Sequence, residues 1–191
     1  MDAEYTDVMI DLETTGLLPD RAGILQIGAV KFNLKERTVS PDMFYKSLTL
    51  PPHRFWEQST QQWWLKQKSG QLQGILQKAE PYRDVINQLA DWGYQNPGLR
   101  MWAKPTHFDY MFLASYFADE GLPNPFHYRV ARDLNTYLEG IFYPNEVPKA
   151  ITDMPFTGEG SHDALSDAIH QLEVLFLAQD IKDGLKDVPT A

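Results

Sequence analysis

The sequence predicts an α/β fold, a mixed five-stranded sheet flanked by helices, on three observations. Three β-rich runs crowd the first fifty residues, and a turn as short as Lys35-Glu36-Arg37 between two of them implies an antiparallel meander. Beyond residue 80, short strand-like runs alternate with helical stretches, the pattern that layers helices on a sheet. The chain then closes on a long stretch with apolar residues at helical spacing. At 191 residues it suits a single domain over 1–191, with no internal repeat, low-complexity tract or boundary.

In chain order, Tyr5 to Leu12 alternates as a strand, and Ile24 to Leu34 and Val39 to Leu48 are its two partners. Gln58 to Lys68 predicts a helix carrying Trp63-Trp64. A second helix runs from Tyr82 to Tyr94, with Val85, Ile86, Leu89, Ala90 and Gly93 on one face. Leu99 to Ala103 is a short strand, followed by a helix over His107 to Ala118 and a turn at Gly121-Leu122-Pro123. A fifth strand is expected around Tyr128 to Ala131, leading into a helix from Asp133 to Leu138. Tyr143 to Gly160 holds three Pro and two Gly and is expected to be a long loop. The closing helix, Ser161 to about Ile181, carries Leu165, Ala168, Ile169, Leu172 and Phe176 as its apolar stripe.

Composition narrows the function. Hydrophobic residues make up 43%, with 10 Phe, 9 Tyr and 5 Trp, so a core is easily supplied. The absence of Cys excludes disulfides, thiolate zinc sites and cysteine nucleophiles. No apolar run reaches membrane-spanning length, and Met1-Asp2-Ala3-Glu4 lacks the basic region of a signal peptide, so a soluble cytoplasmic protein is expected. The net charge of −9 argues against a protein that grips long duplexes by neutralising many phosphates. It fits a local, metal-bridged grip on a strand end, with part of the acidity belonging to the metal site.

Three short motifs carry the chemistry. Met9-Ile10-Asp11-Leu12-Glu13-Thr14-Thr15-Gly16-Leu17 places Asp11 and Glu13 two residues apart on a strand, so both leave the same face while Val8, Ile10 and Leu12 leave the other. Two such carboxylates repel each other and lose solvation, which a bound cation relieves. A solvent-facing strand end beside a turn explains the bare pattern equally well. Thr106-His107-Phe108-Asp109 opens a helix after a strand, where α/β folds build sites, but Thr106-x-x-Asp109 also reads as a capping box.

In Ser161-His162-Asp163-Ala164-Leu165-Ser166-Asp167, Asp167 lies on the helix flank, off the centre of the apolar stripe. His162, five residues earlier, would point about 140° away in a continuous helix. The two share a site only if His162 leaves the helix, which Gly158 and Gly160 permit. A histidine on a mobile lead-in suits a general base near neutral pH. A surface histidine at a helix start is the plain alternative, and His53, His107, His127 and His170 are assigned surface or packing roles.

In this order the three motifs resemble the DEDDh branch of the DnaQ-like 3'→5' exonuclease superfamily, on an RNase H-like fold, with an RNase T-like or phage-type exonuclease nearest. Asp-Leu-Glu-Thr-Thr-Gly-Leu matches its first motif and His162-x4-Asp167 its third, and the resemblance spans about Thr6 to Ala178. It implies Asp11, Glu13, Asp109 and Asp167 as ligands of two divalent cations, Mg2+ or Mn2+, and His162 as the base that activates water. It implies that Thr14, Thr15, Gly16 and Leu17 hold the 3'-terminal nucleotide. The expected activity is removal of mononucleotides from single-stranded RNA or DNA 3' ends, by a protein for which a homodimer is compatible. The family's second motif commonly carries an Asn shortly before Phe-Asp; here the stretch reads Trp102-Ala103-Lys104-Pro105-Thr106-His107-Phe108-Asp109 without it. Asp109 therefore rests on Phe-Asp and position, and Lys104 reads as a surface lysine.

Adjacent Trp63 and Trp64 lie about 100° apart on a helix, so one can be core while its neighbour lines a groove. Trp56, Trp63 and Trp64 are otherwise core residues, with base stacking on an exposed one as the alternative. Two rival readings are a nuclease fold that has become a nucleic-acid-binding module and, from His162-Asp163, a helical HD-type phosphohydrolase. The latter needs further metal-binding histidines on helices and has no use for the N-terminal strands. RNA against DNA is left open by the sequence.

Overall fold

The middle of the sheet is set by β1 (Asp7–Thr14), whose residues are all buried except half-buried Asp11. A strand buried on both faces belongs in the interior of a sheet. In the computed structural model, which describes residues 5–68, 70–156 and 162–188, β1 pairs antiparallel with β2 (Ile24–Asn33) and parallel with β4 (Arg100–Ala103). The antiparallel β3 (Thr38–Ser47) and parallel β5 (Arg132–Asp133) complete the order β3-β2-β1-β4-β5. This is the mixed five-stranded sheet that the meander and the later alternation predict.

Seven helices accompany it among the described residues: α1 (Gln58–Trp64), α2 (Gln71–Gln77), α3 (Tyr82–Tyr94), α4 (Thr106–Asp119), α5 (Leu134–Phe142), α6 (Lys149–Thr152) and α7 (Ala164–Lys182). Strand periodicity sorts β1 between two cores. Val8, Ile10 and Leu12 join the cluster built with α3 and α4, while Met9 joins the one built with α5 and α7. Asp11 and Glu13 share the parity of Met9 and face α7. A smaller cluster of Leu25, Trp64 and Ile75 seats α1 and α2. None of the described helices is long and apolar enough to cross a membrane.

The approach of α7 is set by a glycine. Gly28 sits opposite Asp11 in the β1–β2 register, and a Cβ there would lie 2.2 Å from the main-chain carbon of Ala164. With no side chain in the way, the first turn of α7 rests on β2, and Ala164 N–H donates to Gln26 Oε1 at 2.9 Å. The buried stripe of α7 runs through Ala164, Ala168, Gln171, Leu172, Leu175 and Ala178, leaving Asp167 on its edge.

Four expectations need correction. The segment Tyr128–Val130 is a 3-10 turn, and the fifth strand is the two-residue Arg132–Asp133. The helix expected to Lys68 stops at Trp64, and α2 forms where none was predicted, seated by Ile75 and half-buried Leu72. The loop expected over Tyr143 to Gly160 contains the single turn α6, and Thr157 to Gly160 fall outside the described residues. The last helix begins at Ala164, capped by Asp163, whose carboxylate accepts from Ser166 N–H at 3.0 Å.

Candidate active site

Five side chains from three elements and one lead-in residue line a single cavity of about 340 Å3: Asp11 and Glu13 of β1, Asp109 of α4, Asp167 of α7 and His162 before it. Oxygens of Glu13 and Asp167 and a ring nitrogen of His162 lie within 4.8 Å of one another. No ion pair among the described residues involves any of the four carboxylates. Lys104 lines the same cavity as its nearest cationic side chain of fixed charge.

Electrostatics record the crowding. Burial drives Asp11 well above the usual carboxylate range, and repulsion from Asp109, Glu13 and Asp167 adds to it. Glu13 is pushed up to about 8, first by burial and then by Asp167, Asp163 and Asp109. Burial also lifts Asp109 to about 8, against main-chain hydrogen bonds at Asp109 itself and at Leu12. Asp167 is raised by burial, opposed by the His162 N–H. Four hard oxygen donors packed without a compensating cation form a donor set suited to divalent metal. Glu13, Asp167 and His162 are the residues among those described whose donor atoms lie close enough together to share an ion.

His162 reaches the cavity because it is not helical. Its φ of 67° turns the chain in the left-handed region just before the Asp163 cap. That conformation is held from three sides. The His162 N–H donates to Asp167 Oδ2 at 2.8 Å, and Gln71 Nε2 donates to its carbonyl at 2.6 Å. The Trp63 ring meets the imidazole edge-to-face, with centroids 4.6 Å apart. His162 thus comes from outside the helix, as sharing a site with Asp167 requires; Gly158 and Gly160, expected to permit that, lie outside the described residues.

Thr106 does not cap α4. Pro105 is the N-cap residue, and the Thr106 hydroxyl bonds instead to Ala103 and Arg132, tying the start of α4 to β4 and β5. Asp109 therefore stands in the first turn without a capping-box partner, and its carboxylate reaches the β1 main chain at Leu12.

The Thr14–Leu17 turn divides its duties. The Thr15 hydroxyl donates to Phe55 O at 2.8 Å and accepts from Gly23 N–H at 2.7 Å, while Thr14 Oγ1 donates to Gly16 O at 2.8 Å. Both hydroxyls are engaged within the fold, and Leu17 is the exposed side chain, lining the carboxylate cavity and a neighbouring one of about 410 Å3. Trp63 and Phe108 also line that neighbour. Trp64 is buried and donates from its indole to Thr14 O at 3.1 Å, whereas Trp63 is 39% exposed, the division that their spacing predicts. Trp56 is half-buried against the small cluster.

Sequence reasoning missed Gln171. It is buried on α7, one turn after Asp167, and its Nε2 donates to Asp11 Oδ1 at 2.7 Å. Its hydrogen bond opposes the rise in the proton affinity of Asp11 that burial and the neighbouring carboxylates cause. The four-residue spacing from Asp167 is the only signal that could have found it.

The model of the Rv2179c-like 3'-5' exoribonuclease domain matches residues 6–178. A search of curated proteins found no match. Among solved structures, the zinc-bound complex of E. coli ExoI with single-stranded DNA superposes with a TM-score of 0.74 at 14% identity, covering 96% of this chain and 42% of that one. The chain thus spans less than half the length of that nuclease. The nuclease domain of 3'hExo, a DEDDh family member bound to rAMP, gives 0.64 at 19% identity over 96% of both chains. S. pombe Pop2p in its Mg2+- and Mn2+-bound form gives 0.67 at 15% identity, over 92% of this chain and 83% of that one. At these identities the likeness is one of fold, the RNase H-like fold of DEDDh exonucleases.

Proposed function

The chain belongs to the family of Rv2179c-like 3'-5' exoribonuclease domains, and from that premise we propose that it is a metal-dependent nuclease removing 5'-mononucleotides from the 3' end of single-stranded nucleic acid. The observation that carries the proposal is the convergence of Asp11, Glu13, Asp109, Asp167 and His162 on one cavity. The four carboxylates would hold two divalent cations, Mg2+ or Mn2+. Those ions would supply Lewis-acid polarisation of the scissile phosphate and charge stabilisation of the leaving oxygen.

The protein's own groups do the rest. His162 accepts the proton of the attacking water at an imidazole nitrogen, held in reach by Trp63, Gln71 and Asp167. Water oxygen joins phosphorus and the bond to the upstream 3'-oxygen breaks; that oxygen takes a proton from solvent to become a 3'-hydroxyl, and the terminal nucleotide departs with a 5'-phosphate. Gln171 orients Asp11. Leu17, Trp63 and Phe108 would wall the terminal base, and Thr14 and Leu17 of the turn line the same cleft. The description of the family favours RNA as the substrate.

The test is a 5'-labelled single-stranded 20-mer, as RNA and as DNA, incubated with Mg2+ or Mn2+. A ladder shortened one nucleotide at a time, abolished by EDTA and by Asp11→Ala, is the expected result. Internal fragments, or intact substrate with either metal, would overturn the proposal. Binding without cleavage would instead identify a nucleic-acid-binding module.

A further inference from the structure

A second cavity of about 510 Å3 shares Pro105 with the catalytic one, and its other lining residues include His107, Tyr110, Met111 and Tyr128. It lies away from the cavity of Leu17, Trp63 and Phe108, so the carboxylates sit between two clefts. Its surface is aromatic and exposed: Tyr128 is 60% exposed and Met111 50%. The Tyr128 ring stacks on His127 with centroids 4.7 Å apart, and its hydroxyl accepts from Arg129 Nε at 2.9 Å.

Arginine pairing differs here from the rest of the described residues. Arg21, Arg37, Arg54, Arg83 and Arg100 are each paired with carboxylates. Arg129 and Arg132 have no carboxylate partner among the described residues; Arg129 bonds Tyr128, which lines this cavity, and Arg132 lines an adjoining one that shares Ala131, Asp133 and Thr136 with it. The one acid lining it, Asp133, is already engaged by Thr106 N–H, Thr136 N–H and the Thr136 hydroxyl, at 2.9, 2.9 and 3.0 Å. In a chain of net charge −9, two unpaired arginines beside exposed aromatic rings form a local site for phosphates and bases.

We propose that this surface carries the single strand on the 5' side of the scissile phosphate, with bases against Tyr128 and Tyr110 and phosphates at Arg129 and Arg132. The assignment rests on the exonuclease reading above, which gives the opposite cleft, around Leu17 and Trp63, to the departing 3' nucleotide. The upstream strand then has this side of the carboxylates to leave by. Polarity follows from the same placement. On this placement a dinucleotide fills the cleft of Leu17 and Trp63 and the carboxylate cavity and leaves Tyr128 and Arg129 uncontacted.

The experiment compares kcat/KM for a single-stranded decamer and a dinucleotide, in the wild-type chain and in Arg129→Ala/Arg132→Ala. The decamer-to-dinucleotide ratio should fall about tenfold in the double variant. The decamer's dependence of log(kcat/KM) on log[salt] should become shallower by about 1.4, each single-strand phosphate contact being worth about 0.7. Tyr128→Ala should lower the ratio without changing the salt slope. Should the double variant fold poorly, Arg129→Ala alone reads the same ratio, since that side chain is exposed and bonds only to Tyr128. An unchanged ratio in an active enzyme overturns the surface alone. A wild-type chain that cleaves neither substrate with Mg2+ or Mn2+ brings down the exonuclease reading and the surface with it.

Discussion

Glu13→Gln separates charge from shape at the centre of the carboxylate cluster. Glu13 is 7% exposed, and its carboxyl titrates at about 8 in the fold against 4.5 outside it. Because the folded value is the higher, the folded state holds an extra proton between those two values. Metal-free protein therefore has its full stability below about pH 4.5 and loses it as pH rises through the window to about 8. At about 1.4 kcal/mol for each tenfold change in proton affinity, the full cost near pH 7.5 is about 4 kcal/mol. Relaxation and water in the open cavity reduce that to an expected 2 kcal/mol or so, which in a domain of this size is roughly 4–8 °C in Tm.

Glutamine keeps the volume and never ionises. In EDTA near pH 7.5, Glu13→Gln should melt roughly 4–8 °C above the wild-type chain. The two should converge as pH approaches the ordinary carboxylate range. Added Mg2+ should raise the wild-type Tm by mass action and leave the variant nearly unmoved. Differential scanning calorimetry across pH, with and without metal, reads all three effects. A variant that melts below wild type in EDTA, or a gap that ignores pH, would refute the reasoning.

Other outcomes follow from the same geometry. His162→Ala should lower kcat by about 10²–10³ with KM within about threefold, the scale of a lost general base; steady-state kinetics with equal losses in both would contradict the role. Gln171→Leu, similar in volume but without the donor to Asp11, should raise the Mg2+ concentration for half-maximal activity roughly 10–100-fold, read by metal titration. Gly28→Ala should drive the first turn of α7 off β2 at a cost of about 1–3 kcal/mol, and lower metal affinity because Asp167 and His162 travel with that turn. Retained metal affinity in a folded Gly28→Ala protein would show that the close contact at Ala164 does not position the cluster.

The parts of this protein readable from sequence are those where one physical period rules. Alternation over residues 7–13 sorts Val8, Ile10 and Leu12 from Asp11 and Glu13, and the structure keeps that sorting because β1 packs between two layers. The strand at Arg132–Asp133 is too short to carry a period, so the aromatic and β-branched residues of Tyr128–Val130 attracted the assignment instead. Helix α2 is rich in the helix formers Gln and Leu but is interrupted by Gly74 and follows Gly70, and packing of Ile75 and Leu72 beside Trp64 offsets the cost of the glycine. The family motifs announce the five site residues by type and order. Their supports are silent in sequence: Gln171 is an ordinary helical glutamine, and Gly28 an ordinary strand glycine until Ala164 is seen against it. The tether on His162 depends on Trp63 and Gln71, roughly 90 to 100 residues away, and no local pattern encodes a contact of that range.

Anomalous diffraction from a crystal grown with Mn2+ and a 5'-mononucleotide tests the central claim most directly. The account predicts two ions bridged by the carboxylates of Asp11, Glu13, Asp109 and Asp167, with the phosphate between them and His162. Manganese bound elsewhere, with those side chains turned apart and the mononucleotide absent from the cavity, would contradict it.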